Sequence, residues 1–185
     1  MSLPPIIGFM GAAGSGKDTA GIILREYFEY RVLRFAAPIK RAVEGILRLA
    51  PFELEQNSPM REEVIPEIGA SPRQLLQTLG TEWGREMVHQ DIWVQAVARE
   101  IDQIQECTFG AKLFCITDVR FNNEVEWIRS QGGIVVEIIR DVPAIASHKS
   151  ESSITLTPDV QLTNDSTTTV FEEVVKFMML QLEKR

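Results

Sequence analysis

An apolar run, Ile6-Ile7-Gly8-Phe9-Met10, passes directly into Gly11-Ala12-Ala13-Gly14-Ser15-Gly16-Lys17-Asp18, and a helical pattern begins at once. Few folds bring a buried strand, a glycine-rich loop and a helix together in so short a stretch. The spacing is that of a phosphate-binding loop, whose backbone N–H groups surround a triphosphate while the lysine reaches the outer phosphates. Glycine is needed there because a side chain would keep the backbone off the anion, and because some positions take positive φ. The helix that follows aims its N-terminus at the phosphates and adds a favourable dipole. The chain is therefore expected to handle a nucleoside triphosphate; the competing explanation is an incidental glycine-rich turn.

One position departs from the general pattern. Ser or Thr normally follows the lysine and ligates Mg²⁺, but here Asp18 stands in that place and Thr19 comes one residue later. A carboxylate can hold a metal through water, though it brings negative charge towards the phosphates. Thr19 cannot simply substitute, since one residue turns about a quarter circle around a helix.

The length of 185 residues predicts one domain with a real core. No apolar stretch is long enough to span a bilayer, and no basic-then-apolar leader opens the chain, so a soluble cytoplasmic protein is expected. Cys107 and Cys115 read as free thiols of a reducing compartment. The net charge of −7 argues against a nucleic-acid polymer as partner. A small phosphate ligand remains compatible, because local amides and a few arginines can bind it against the overall field.

Beyond the first helix, expected over residues 16–30, the apolar patterns alternate between strand and helix. Strands are expected at 32–35, 113–117, 134–139 and 160–162. Helices are expected at 37–49, from Pro72 with Ser71 as N-cap, from Asp91 to about Glu106, at 122–131 and from about Thr169. Residues 51–70, rich in Pro and acids, read as a partly helical surface excursion. The stretch after Arg140, to about 158, is polar and reads as a lid segment. Strands alternating with helices predict a three-layer α/β fold with a parallel central sheet, whose ligands sit at its carboxyl edge.

That edge collects candidate residues. Lys17, Lys40, Asp118, Arg120 and Arg140 each follow a predicted strand. Phosphoryl transfer needs mainly positioning and charge neutralisation, so several cations and a metal-directed carboxylate are the expected parts. Asp118 fits a metal-ordering or acceptor-orienting acid, or a cap on the next helix. Arg120 could clamp an acceptor phosphate or pair with Glu124 or Asp118. Arg73 opens a helix, where a cation opposes the dipole and a ligand phosphate would offset the cost. Trp93, with Arg73, Gly80 and Thr81 close in sequence, could face a nucleobase, although core packing is the default for it and for Trp83. His89 and His148 are too far apart to suggest a metal site, and His148 to Glu151 lies where a lid would close.

Taken together, the chain resembles the phage-type deoxynucleoside monophosphate kinases of the P-loop superfamily over nearly its whole length. The likeness rests on Gly14-Ser15-Gly16-Lys17-Asp18-Thr19, Pro38-Ile39-Lys40, the block Arg73 to Thr81, Asp91-Ile92-Trp93-Val94, Asp118-Val119-Arg120-Phe121 with Asn123-Glu124, His148 with Glu151, and Thr163-Asn164-Asp165. The Asp after the lysine is similar to this family's own usage. The resemblance implies transfer of the γ-phosphate of ATP to a deoxynucleoside 5′-monophosphate, with Mg²⁺ as cofactor. It implies that Gly14 to Thr19 hold ATP; Gly11 and Arg140 are expected beside them, and Asp18 or Asp118 is expected to order the metal through water. It implies that Ile39, Lys40, Arg73, Gly80, Trp93, Asp118 and Arg120 surround the monophosphate, with Thr81 beside them. A helical acceptor-binding insertion would then span about 41–106. Relatives in that family form dimers, so a homodimer is a further expectation. Two rivals stay open on the residues alone: a P-loop kinase for another small acceptor such as dephospho-coenzyme A, and a nucleotide-binding switch or ATPase.

Overall fold

A computed structural model describes residues 3–55, 58–107, 112–140, 154–165 and 167–184. Its contacts divide the chain into two compact units, one of residues up to Arg34 with those from Ile101 onward, the other Phe35–Glu100.

The first unit is built on a five-stranded sheet, all parallel. Its strands are β1 (Ile6–Met10), β2 (Arg31–Leu33), β3 (Phe114–Ile116), β4 (Ile134–Ile139) and β5 (Val160–Thr163), in spatial order β2-β3-β1-β4-β5. β1 is wholly buried and lies at the centre. β3, within the expected run 113–117, lies between β1 and the edge strand β2, and its three residues are buried. β2 ends at Leu33, two residues short of the expected boundary.

Side chains alternate across a strand, and the core follows that rule. Ile7 and Phe9 of β1 join Val136 and Ile138 of β4 in one cluster. Helices α1 (Lys17–Phe28) and α6 (Thr168–Glu183) close that cluster through Ala20, Ile23, Leu24, Phe171, Val175 and Met179. The other face meets α5 (Asn122–Ser130): a Cβ on Gly8 would lie 2.5 Å from Ile128 Cδ1, so a larger residue there would make the Ile128 side chain shift. Helices on both faces of a parallel sheet make the three-layer α/β arrangement expected from the alternating pattern.

The Phe35–Glu100 unit contains α2 (Ala37–Leu47), two 3₁₀ turns (Pro51–Leu54 and Pro59–Arg61) and α3 (Pro72–Gln77). A helix α4 (Ile92–Cys107) begins in it and continues past its boundary. Ser71 caps α3 as its sequence predicts: its Oγ accepts from Gln74 N at 3.3 Å, and Gln74 Oε1 accepts from Ser71 N at 2.8 Å. What the pattern did not reveal is that α3 passes into a π-helical segment, Thr78–Val88. The segment packs against Trp93. Gly84 lies against the Trp93 ring, where a Cβ would come within 2.7 Å of Cζ2, and the Gly80 carbonyl accepts from Trp93 Nε1 at 2.7 Å and Arg85 Nη1 at 2.8 Å. Among the described residues no helix is long and apolar enough to cross a membrane.

Candidate active site

The loop from Gly11 to Gly16 leaves the carboxyl end of the central strand, where the strand order reverses and open α/β sheets bind their ligands. Gly11, Gly14 and Gly16 have φ of 132°, 77° and 109°, a region that favours glycine. Two of these glycines are also required for space. A Cβ on Gly11 would lie 2.4 Å from the Ile138 carbonyl oxygen, and one on Gly16 would lie 2.5 Å from Asn164 Nδ2. Asn164, buried just past β5, donates to the Ser15 carbonyl at 2.7 Å and so holds the loop from the far side of the sheet.

Two features mark this loop as made for an anion. Lys17 Nζ folds back to donate to the carbonyls of Gly11 and Ala12, both at 2.6 Å. Ser15 Oγ is fully buried and has no hydrogen-bond partner among the described residues. A buried hydroxyl left unsatisfied costs about 1–3 kcal/mol, which an acceptor oxygen seated in the loop would relieve. At the end of β4, Arg140 Nη1 reaches the Gly14 carbonyl at 3.4 Å, bringing a second cation to the same turn.

Asp18, in the first turn of α1, belongs to a three-residue cluster that local sequence did not predict. Arg34, just past β2, donates from Nη2 to Asp18 Oδ1 at 2.6 Å and from Nε to Thr117 Oγ1 at 3.2 Å. Thr117, just past β3, donates its own hydroxyl to the same Asp18 oxygen at 2.8 Å. Partial burial works to raise the Asp18 pKa. The bonds from Arg34 and Thr117, with the charges of Arg34 and Lys17, outweigh it and hold the carboxyl below its ordinary value. A carboxylate and a hydroxyl are hard oxygen donors of the kind Mg²⁺ takes together with retained waters and substrate phosphates. The donor set therefore fits the expected metal. Among the described residues no group of three or more His, Cys, Asp or Glu side chains forms a cage of its own.

Asp118 is half-buried directly after Thr117, and Arg120 is exposed two residues on. The N-cap of α5 is Phe121 rather than Asp118, and Glu124 in the helix's first turn, a fully buried acid, accepts at Oε2 from the backbone N–H of Arg120 at 2.7 Å and Phe121 at 3.1 Å. Glu124 thus shapes the turn that carries Arg120.

In the Phe35–Glu100 unit, Lys40 of α2 faces Glu55 at 3.4 Å and Arg73 of α3 bonds Glu62 at 2.8 Å. Glu62 supplies the negative charge that offsets a cation at a helix N-terminus. Ile39 is buried and approaches Gly80, whose Cβ position lies 3.1 Å from Ile39 Cδ1. Thr81 is exposed, whereas Trp93 is only 6% exposed and uses its indole N–H on Gly80. Trp93 is thus a packed support for Gly80 here. Trp83, with its ring centre 6.4 Å away at an interplanar angle of 46°, stays 43% exposed. His89 is exposed near the start of α4. His148, Glu151 and most of the expected lid lie in 141–153, outside the described residues. Cys115 is buried and its thiol is pushed up to about 12 by that burial, whereas Cys107 is exposed; both are free.

The chain is similar over most of its length to known proteins. A family model described as deoxynucleotide monophosphate kinase matches residues 50–175. A protein of Acanthamoeba polyphaga mimivirus, named as a deoxynucleotide monophosphate kinase, is 30% identical over 175 residues, 88% of this chain and 89% of its own. The deoxynucleoside-5′-monophosphate kinase of Escherichia phage T5 is 31% identical over 141 residues, which is 68% of this chain and 53% of that protein. Among solved structures, the APS kinase of Mycobacterium tuberculosis in complex with AMPPNP and APS aligns over 100% of both chains, with a TM-score of 0.53 and 13% identity. That last likeness speaks to the fold alone.

Proposed function

We propose a division of labour for this chain, which belongs to the deoxynucleotide monophosphate kinase family. The reaction is transfer of the γ-phosphate of ATP to a deoxynucleoside 5′-monophosphate. An oxygen of the acceptor's phosphate forms a bond to Pγ. The bond from Pγ to the β,γ-bridging oxygen breaks, and its electron pair leaves on ADP. Little covalent assistance is needed, so the protein contributes mostly position and compensating charge.

The amides of Gly11 to Thr19 take the ATP phosphates, and Ser15 contributes its hydroxyl there. Lys17 exchanges its two carbonyl contacts for the β- and γ-phosphates, and Arg140 adds charge at Gly14. When bound, Mg²⁺ neutralises charge on those phosphates and orders water around them, with Asp18 or Asp118 on its water shell. For the acceptor, Lys40 and Arg73 exchange their carboxylate partners for the monophosphate's oxygens. Arg120 assists with charge, Asp118 orients the attacking oxygen, and Ile39, Gly80 and Thr81 contribute apolar and hydroxyl contacts, Gly80 kept in place by Trp93. The small-nucleotide reading suits the net charge of −7, and two free thiols suit a reducing cytoplasm.

The observation that carries this reading is the loop itself. Three left-handed glycines, a lysine and a buried unpartnered serine hydroxyl stand at the centre of a parallel sheet in a chain of this family. A coupled ADP-release assay with ATP and a panel of deoxynucleoside monophosphates, with dephospho-coenzyme A alongside, tests it. Turnover is expected on at least one monophosphate and not on the coenzyme precursor; no turnover on any monophosphate would remove the reading.

A further inference from the structure

The general arrangement in P-loop enzymes pairs a Ser or Thr after the loop lysine with an Asp at the end of a neighbouring strand, and the two together hold the metal. In this chain the residue after the lysine is Asp18, and the residue that meets it from the end of β3 is Thr117, at 2.8 Å. The two chemical groups are both present and bonded to one another, in exchanged positions. We propose that Asp18 and Thr117 are the metal-ordering pair of this enzyme with acid and hydroxyl interchanged, and that Asp118 serves the acceptor. This rests on the kinase reading above and deepens it.

Three observations carry the inference. First, Thr117 faces α1: a Cβ on Gly21 of that helix would lie 2.5 Å from Thr117 Cγ2 and 3.6 Å from Cys115 Sγ. Thr117 and Cys115 therefore share the side of the sheet turned towards the helix that bears Asp18. Second, the direction of the hydroxyl is determined. Thr117 Oγ1 accepts from Arg34 Nε, so its single proton goes to Asp18, and one of its lone pairs remains available. Third, both donors converge on Oδ1 of Asp18, whose side chain is 65% exposed. A carboxylate has about four lone-pair sites on two oxygens, so metal-bound water can still be accepted. Arg34 acts as a positioning residue, since it touches both members and fixes their relative orientation.

The test reads metal and nucleotide separately. A fluorescent ATP analogue is titrated into the full-length protein at a series of free Mg²⁺ concentrations, and Mn²⁺·ADP binding is followed by electron paramagnetic resonance. Asp18→Asn and Thr117→Val are each expected to raise the metal concentration required by about 10–100-fold, the usual range for groups that orient a metal's ligands. Asp118→Asn is expected to lower turnover and leave the metal requirement where it was. The exchanged double variant Asp18→Thr with Thr117→Asp is expected to recover most of what either single variant loses. A metal shift confined to Asp118→Asn, or a folded double variant no better than the single ones, overturns the proposal. If the double variant does not fold by circular dichroism, the comparison of Asp18→Asn with Asp118→Asn decides alone. A wild-type protein that binds no ATP at any Mg²⁺ concentration sinks the kinase reading instead, and so the two failures are distinguishable.

Discussion

In the loop from Gly11 to Gly16, the groups proposed to meet phosphate are main-chain amides, shaped by left-handed glycines and tied back by the buried Asn164. In the Phe35–Glu100 unit, the candidate phosphate-gripping groups are long cations, Lys40 and Arg73, each resting on a carboxylate more than half exposed. On the proposed function, the first would recognise phosphate by pre-set geometry and the second by exchangeable charge. Ion pairs with exposed members contribute only about 0–1 kcal/mol, so a phosphate can displace Glu55 or Glu62 at little cost. The loop has no such latitude, because a side chain at Gly11 or Gly16 collides with a carbonyl or an amide that cannot retreat. Lesions in the loop should therefore be severe, and lesions among the cations selective.

The largest effect should come from Lys17→Ala, expected to lower kcat by about 10²–10³-fold or more while the thermal melt stays that of the wild type. Near-normal turnover would mean that the loop is not where transfer occurs. Next, Arg73→Ala should raise the KM of the monophosphate by about 10–100-fold, as for loss of a charged hydrogen bond of about 1.5–3 kcal/mol, with the KM of ATP unchanged. Equal loss for both ligands would break the contrast between the two regions.

Asn164→Ala leaves the Ser15 carbonyl without its buried donor and should cost about 1–3 kcal/mol of stability in a urea titration, together with weaker ATP binding. Unchanged ATP affinity would show that the loop keeps its shape without this tie. A smaller loss, about 0.5–1.5 kcal/mol, is expected for Trp93→Phe, which removes the bond to Gly80 and keeps most of the ring. A large rise in acceptor KM with no loss of stability would instead assign the indole to the nucleobase.

The smallest effect concerns acid. Asp18 has a folded pKa below its ordinary value of 3.8, so the native state binds its proton less readily than the unfolded chain does. Its contribution to stability is thus complete above that value and fades as pH falls below it. Asp18→Asn should flatten the acid limb of a stability-against-pH curve there; an unaltered limb would mean that Arg34 and Thr117 do not favour the charged form.

The cap of α3 shows how far local pattern reaches. Ser71, Pro72 and Gln74 lie within four residues, and the bonds between them are dictated by that spacing. The π-helical turns of Thr78–Val88 were not legible in the same way, because eleven residues do not separate their period from that of an α-helix, and the tryptophan they pack against lies beyond the segment. The cluster around Asp18 was invisible for a related reason. Arg34 and Thr117 are 16 and 99 residues from Asp18 along the chain, and nothing near either one in sequence announces a shared partner. Asn164 stood among the residues that carried the family likeness, but its hold on Ser15, 149 residues away, became apparent only in the fold.

From the order of its residues alone, this chain was committed to a buried strand, a glycine loop and a helix beginning with a lysine, since those depend on φ preferences and on neighbours a few positions apart. Which groups complete that loop was decided by the parallel sheet, which brings the carboxyl ends of its strands to one edge. Arg34 and Thr117 reach Asp18, and Arg140 and Asn164 reach the loop, only because strand pairing sets them there, and hydrogen bonds of under 3.5 Å depend on position in space rather than on distance along the chain.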